Sequence, residues 1–269
     1  LATRTVPLLQ ATQRLAQAET EIAGTAPSVL SSHAPEAVRE ALAPSQQALD
    51  ESIATLAAMP DAATRAAALA RTNQAVQALL DHITELQQRR LQDAAARVAA
   101  VDGLASMHHD LAAALGSVLD DAKFDLTLAL SVDQGASSTA VSLAHVRDNQ
   151  LETLISAGAM RADANLLMGL LTSAATTPDR AALAPLADQV TAARERMAKA
   201  LQALGHHRDT ALIQAKFDAL CAYTMGAAHD VFALRARELD AADEARAALA
   251  ENQRLSRQVA TAVQAVTQD

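Results

Sequence analysis

Residues 61–131 read DAATRAAALARTNQAVQALLDHITELQQRRLQDAAARVAAVDGLASMHHDLAAALGSVLDDAKFDLTLALS. Nothing in this stretch stops a helix except two tolerable glycines, Gly103 and Gly116. Leu69, Val76, Leu80, Ile83, Val98, Val101, Leu111, Leu115, Val118 and Leu126 are read as an apolar seam whose residues recur at spacings of three and four, the period of a helix packed on one side. At about 1.5 Å per residue the predicted helix is roughly 100 Å long.

Outward from it, the same period continues and the helices are read from their interruptions. A first helix is expected from about Leu1 to Ala26, broken by Pro27 and the 31–35 stretch Ser-Ser-His-Ala-Pro. A second starts at Pro35 and ends at Met59, Pro60 and Asp61. After a loop at 132–138 the plan repeats: a helix to about Ser173, a break at Thr176, Thr177 and Pro178, a helix to the turn at Gly205, His206 and His207, and a last long helix from Arg208 to the end. The tetrapeptide Ala-Leu-Ala-Pro recurs at 41–44 and 182–185, each a few residues after a helix-starting proline.

The predicted fold class is all-α: about six helices, short, short, long, repeated twice, forming two stacked four-helix bundles in one elongated domain over 1–269. Two short helices laid end to end match one long helix returning antiparallel. This expectation puts 1–26, 99–131, 138–173 and 236–269 in a membrane-proximal bundle and 35–98 and 178–235 in a distal one. Both chain ends and the 132–138 loop then share one pole, and the turns at Pro60 and Gly205 the other.

Composition agrees with thin helical seams. Hydrophobic residues make up 51% of the chain but aromatic ones only 1%, too little to fill the thick interior of an α/β enzyme. A net charge of −9 excludes nucleic acid, which needs a basic stripe. No phosphate loop, nucleophile elbow or kinase signature occurs, so no catalysis and no cofactor are expected of this segment. Adjacent histidines at 108–109 and 206–207 point about 100° apart on a helix and no Cys/His cluster exists, so no metal is expected. The chain begins at Leu1 without Met, a signal segment or an apolar run of membrane length, as expected of a piece excised from the cytoplasm or from between two membrane helices.

Three stretches carry a family resemblance: 119–126 (LDDAKFDL), 164–171 (ANLLMGLL), and 231–239 (VFALRAREL) leading into 252–255 (NQRL). With the helical plan, they resemble the helical bimodular sensor domains of bacterial receptors, and more closely the periplasmic domain of TorS-like hybrid sensor histidine kinases. The resemblance implies a periplasmic ectodomain of an inner-membrane protein, homodimeric, anchored by flanking membrane helices and continuing into a cytoplasmic kinase. It also implies a periplasmic binding protein that reports trimethylamine N-oxide, or, in chemoreceptor members, small carboxylates bound directly. This sequence lacks an obvious cluster of inward arginines for the latter. A methyl-accepting chemoreceptor ectodomain and a non-sensory helical scaffold stand as alternatives.

Polar residues on apolar seams are the candidate sites. Arg147, Arg161 and Asn165 share a side of the fourth helix with Leu151, Leu154 and Gly158 and would line a pocket for an anionic or polar ligand; alternatively the arginines reach water and Asn165 bonds a neighbouring helix. Met59 and Asp61, with His206 and His207, are expected side by side at the distal pole as a partner surface or as solvated turns. Pro27, Pro35 and Pro178 are the expected hinge. Asn73 and Asn252 are read as buried register-setting amides, and His108 as bonded within the core.

Overall fold

A computed structural model of the chain describes the backbone of residues 2–59, 63–132, 140–205 and 207–267, and their side chains apart from 2–9, 19, 129–132, 140–147 and 266–267. All regular structure among the described residues is helical. The order is α1 (Ala2–Ser31), α2 (Pro35–Glu40), α3 (Ala43–Ala57), α4 (Ala63–Val132), α5 (Ala140–Thr176), a 3-10 turn at Arg180–Ala182, α6 (Leu183–Leu204), α7 (Thr210–Cys221) and α8 (Val231–Thr267). Among these residues no helix is long and apolar enough to cross a membrane. The chain divides into two compact units, Leu1–Gln92 with Asp240–Asp269, and Asp93–Leu239.

In the first unit the short helices fold back on each other instead of lying end to end. Ser32 Oγ accepts from the Ala34 amide at 2.9 Å and turns the chain sharply after α1. Leu49, Ile53 and Leu56 of α3 then share a core with Leu15, Ile22 and Val29 of α1, Leu69, Val76 and Leu80 of α4, and Leu255 and Val259 of α8. Each fully buried Leu or Ile contributes about 1.5–3 kcal/mol, which an extended arm would leave in water. Helix directions follow from the polar pairs. Arg39 meets Asp81 at 2.7 Å and Asn73 meets Asp50 at 2.8 Å, so α3 runs antiparallel to α4. Gln87 reaches the Ser32 carbonyl and Ile22 lies level with Val76, so α1 runs parallel to α4. Arg65 reaches the Ala265 carbonyl and Val259 lies level with Val76, so α8 is antiparallel.

Four expectations are corrected by this unit. Residues 1–26 belong with α3, the 63–92 part of α4 and the 240–267 part of α8, not with 99–131 and 138–173. The start of α1 and the end of α8 lie toward the start of α4, whereas the end of α4 and the start of α5 belong to the second unit. The second predicted helix is two, α2 and α3, parted at Ala41 and Leu42. Pro27 does not end α1, because Ala26 and Val29 are fully buried and draw a last turn onto the core, while Pro27 itself is exposed. A proline inside a helix costs about 3 kcal/mol, a cost that this burial offsets.

The second unit is a four-helix bundle of α4, α5, α6 and the return arm formed by α7 and the start of α8. Its core joins Leu104, Leu111 and Leu115 of α4, Met160, Leu167 and Leu171 of α5, Val190, Met197 and Leu201 of α6, and Ile213, Phe217 and Leu220 of α7. Asp163 receives both Nε and Nη2 of Arg196, at 2.9 and 2.6 Å, tying α5 to α6. Lys216 meets Asp110 at 2.7 Å and Arg208 meets Asp121, which sets α7 antiparallel to α4. The two Ala-Leu-Ala-Pro stretches do the same job: each buries its leucine, Leu42 or Leu183, and exposes a proline in the first turn of a new helix, where no amide is needed.

The predicted last helix from Arg208 to the end does not exist as one piece. It breaks over 222–230, between α7 and α8.

Candidate functional site

The break at 222–230, Ala-Tyr-Thr-Met-Gly-Ala-Ala-His-Asp, is a closed and stapled loop. Its ends are joined by the His229 amide donating to the Ala222 carbonyl at 2.8 Å and the Val231 amide to the Tyr223 carbonyl at 3.3 Å. Gly226 takes φ +75°, a conformation other residues rarely adopt. Asp230 caps α8: one carboxylate oxygen accepts from the Ala233 amide at 2.9 Å and the other from the Gly226 amide at 2.7 Å. Thr224, 1% exposed, donates to the Cys221 carbonyl and accepts from Arg194 at 3.0 Å.

Tyr223 stacks on His229 with ring centroids 5.1 Å apart. Its hydroxyl lies over Gly103 of α4, where a Cβ would come within 2.3 Å of the oxygen. A groove of about 600 Å³ runs beside this pair, walled by Ala96, Ala99 and Ala100 on one side and by 226–230 and the α8 residues Ala233, Leu234 and Arg237 on the other. At the loop's start burial pushes the Cys221 thiol pKa up and favours the thiol over the thiolate, against the opposing effect of Arg194.

The first turns of α8 are fastened to their surroundings by arginines. Glu238 receives Arg97 of α4 at 2.8 Å and Arg235 at 2.8 Å, with all three side chains at most 20% exposed. Burial works to raise the Glu238 pKa, but the donors Arg235 and Arg97 outweigh it and hold the carboxyl below its ordinary value. Arg235 Nε also donates to the Thr177 carbonyl at 2.8 Å, and Arg180 Nη1 donates to the Ala236 carbonyl at 3.2 Å. Arg237 gives Nε and Nη2 to one oxygen of Asp93, at 3.2 and 3.1 Å. The α5–α6 junction and the start of α8 therefore share one hydrogen-bonded node.

The expected ligand stripe of α5 does not face inward as a whole: of its described side chains only Leu154 packs, partly buried, against the core. Leu151, Arg161 and Asn165 are exposed, and Asn165 bonds His108 of α4 at 2.8 Å, so the pocket they were expected to line is not formed by them. The apolar stripe that does turn inward is Ala157, Met160, Ala164 and Leu167, one step round the helix. The Arg147 side chain, Asp61 and His206 lie outside the described residues. Met59 packs against the core of the first unit, while His207 belongs to the second unit and accepts from the Asp209 amide at 3.3 Å, so the two do not form a surface within either unit. Of the hinge prolines, Pro35 is buried at the first turn of α2 and Pro178 stands between α5 and the 3-10 turn.

Sequence reasoning missed Tyr223, His229, Asp230 and the node on Glu238. The available signal was Gly226 followed by Asp230 ahead of an apolar pair, Val231 and Phe232, which marks a helix start. Compared by sequence, the chain matches no protein-family model and no curated protein. Compared by structure, it is similar to the TorS sensor domain in a crystal structure of its complex with TorT in the presence of TMAO, with a TM-score of 0.82 at 11% identity over 96% of this chain and 97% of that one. It is also similar to the sensor domain of the histidine kinase sensor TorS of V. parahaemolyticus, with a TM-score of 0.73 at 10% identity over 97% of this chain and 99% of that one. The chain thus has the fold of the TorS sensor domain over 96% of its length.

Proposed function

We propose that this chain is the periplasmic sensing module of a transmembrane sensor histidine kinase, without catalysis of its own, and that it works as a homodimer, taking a small molecule directly or through a periplasmic binding protein. The observation that carries the reading is the likeness of nearly the whole chain to TorS sensor domains, one of them in complex with TorT. In this reading the 222–230 break and the Thr177–Pro178 junction are the moving parts. An event at either one changes the hydrogen-bonded node on Glu238 and Arg235 and shifts α8, which runs on from there to Thr267. Two packings of similar energy, biased by differential contacts, are what such a signal requires.

The test is a hybrid receptor that carries this chain between the membrane spans of a kinase with a measurable output. Arg235→Ala and Glu238→Gln are expected to move its autophosphorylation set point while the purified variant chains stay helical. An output that ignores both substitutions and matches that of a plain helical spacer would remove the sensing role.

A further inference from the structure

The groove beside the Tyr223–His229 pair is lined by two side chains of opposite charge. Asp230, the cap of α8, and Arg237 in its second turn both line it, seven residues apart, or about 10 Å of helix rise. Between them the walls are the alanine methyls of Ala96 and Ala99 and the stacked rings. Both charged groups keep hydrogen-bonding capacity. A carboxylate offers roughly four lone-pair sites, and the capping amides of Gly226 and Ala233 use a pair of them. The guanidinium gives Nε and Nη2 to one oxygen of Asp93, and its five N–H donors are not all used by that pair.

From this we infer that the groove binds a small zwitterion whose ammonium and carboxylate are separated by several carbons, the ammonium at Asp230 and the carboxylate at Arg237. An amine alone would leave the guanidinium end against an alkyl tail, and an acid alone would leave the carboxylate end so. An α-amino acid holds its charges too close together to reach both ends. The three alanines give the alkyl chain a smooth wall, and the ring pair closes one side.

The inference deepens the sensing role by naming a ligand class and rests on it for its purpose, but binding is measured on the purified chain without any output. The probes are glycine, 4-aminobutanoate, 6-aminohexanoate, butylamine and butanoate. Tyr223 is the chain's one tyrosine and there is no tryptophan, so intrinsic fluorescence reports on the groove directly. Calorimetry and fluorescence are expected to show the longer zwitterions binding about tenfold or more tighter than glycine, butylamine or butanoate. Arg237→Gln and the groove-filling Ala96→Leu are each expected to cost about tenfold or more, with helical circular dichroism unchanged. The assignment falls if no probe binds at millimolar concentration, if butylamine or butanoate binds as well as the zwitterions, or if Ala96→Leu binds like the parent. A hybrid receptor that responds to Arg235→Ala while its sensor chain binds no zwitterion sinks the ligand and keeps the sensing role. Zwitterion binding with an unmoved output does the reverse.

Discussion

Gly103 and Gly116 stand on the same face-alternating helix, α4, and are expected to answer the same substitution with opposite signs. A Cβ at Gly116 meets nothing within 4 Å, so Gly116→Ala should stabilise the chain by about 0.5–1 kcal/mol through backbone entropy alone. A Cβ at Gly103 would fall 2.3 Å from the Tyr223 hydroxyl and 3.1 Å from its ring. Gly103→Ala should therefore displace the ring from His229 and destabilise by about 1–3 kcal/mol, despite the same gain in helix propensity. Urea unfolding gives both values, and the single tyrosine's near-ultraviolet signal should change for Gly103→Ala and not for Gly116→Ala. From sequence both glycines were equally tolerable; only the partner across the bundle separates them. The buried amides show the converse. Asn73 and Asn252 were legible as buried polar residues, and both are, at 4% and 1% exposure. Asn73 gives its Nδ2 to Asp50, while neither side-chain polar atom of Asn252 has a partner among the described residues, so its burial costs stability.

At the scale of elements, the start of α8 is held by polar side chains as well as by its buried Val231 and Phe232. Glu238 is held below its ordinary pKa by Arg235 and Arg97, so the ionised pair stabilises the fold above the usual carboxylate range. That stability is lost as pH falls through the depressed folded value, where the carboxyl gains its proton. Glu238→Gln should cost about 1–2 kcal/mol near neutral pH, and the difference between parent and variant should shrink toward zero in acid. Thermal melts of both proteins across that range check the sign; a gap that widened in acid would mean the carboxyl is not held by the arginines. The break before α8 was hidden from sequence because alanines at 222, 227 and 228 continue the helical period on either side of Gly226. The hairpin of α1 and α3 was hidden for another reason: a break marked by Pro35 says where a helix stops but not which way the chain turns.

For the whole molecule, the unequal continuity of the units has a consequence. The second unit is one uninterrupted stretch, Asp93–Leu239, whereas the first is closed only when Asp240–Asp269 returns to Leu1–Gln92. A fragment spanning 93–239 is expected to unfold cooperatively by circular dichroism. A fragment spanning 1–92 should lack its fourth helix, leave the apolar positions around Leu255 and Val259 unmatched, and melt without a cooperative transition until a 240–269 peptide is added. A cooperative 1–92 fragment would show that α8 is dispensable to that core.

By itself the sequence determined the class: helices throughout, because alanine and leucine at spacings of three and four with scarce aromatics have no other thin core to make. It also determined the doubled plan, through paired Ala-Leu-Ala-Pro starts that each bury one leucine. Tertiary structure alone decided which helices share a core, which side of α5 faces it, and that the return arm breaks at 222–230. Those depend on contacts between residues far apart in the chain, such as Gly103 with Tyr223 and Thr177 with Arg235, and local periodicity does not encode them.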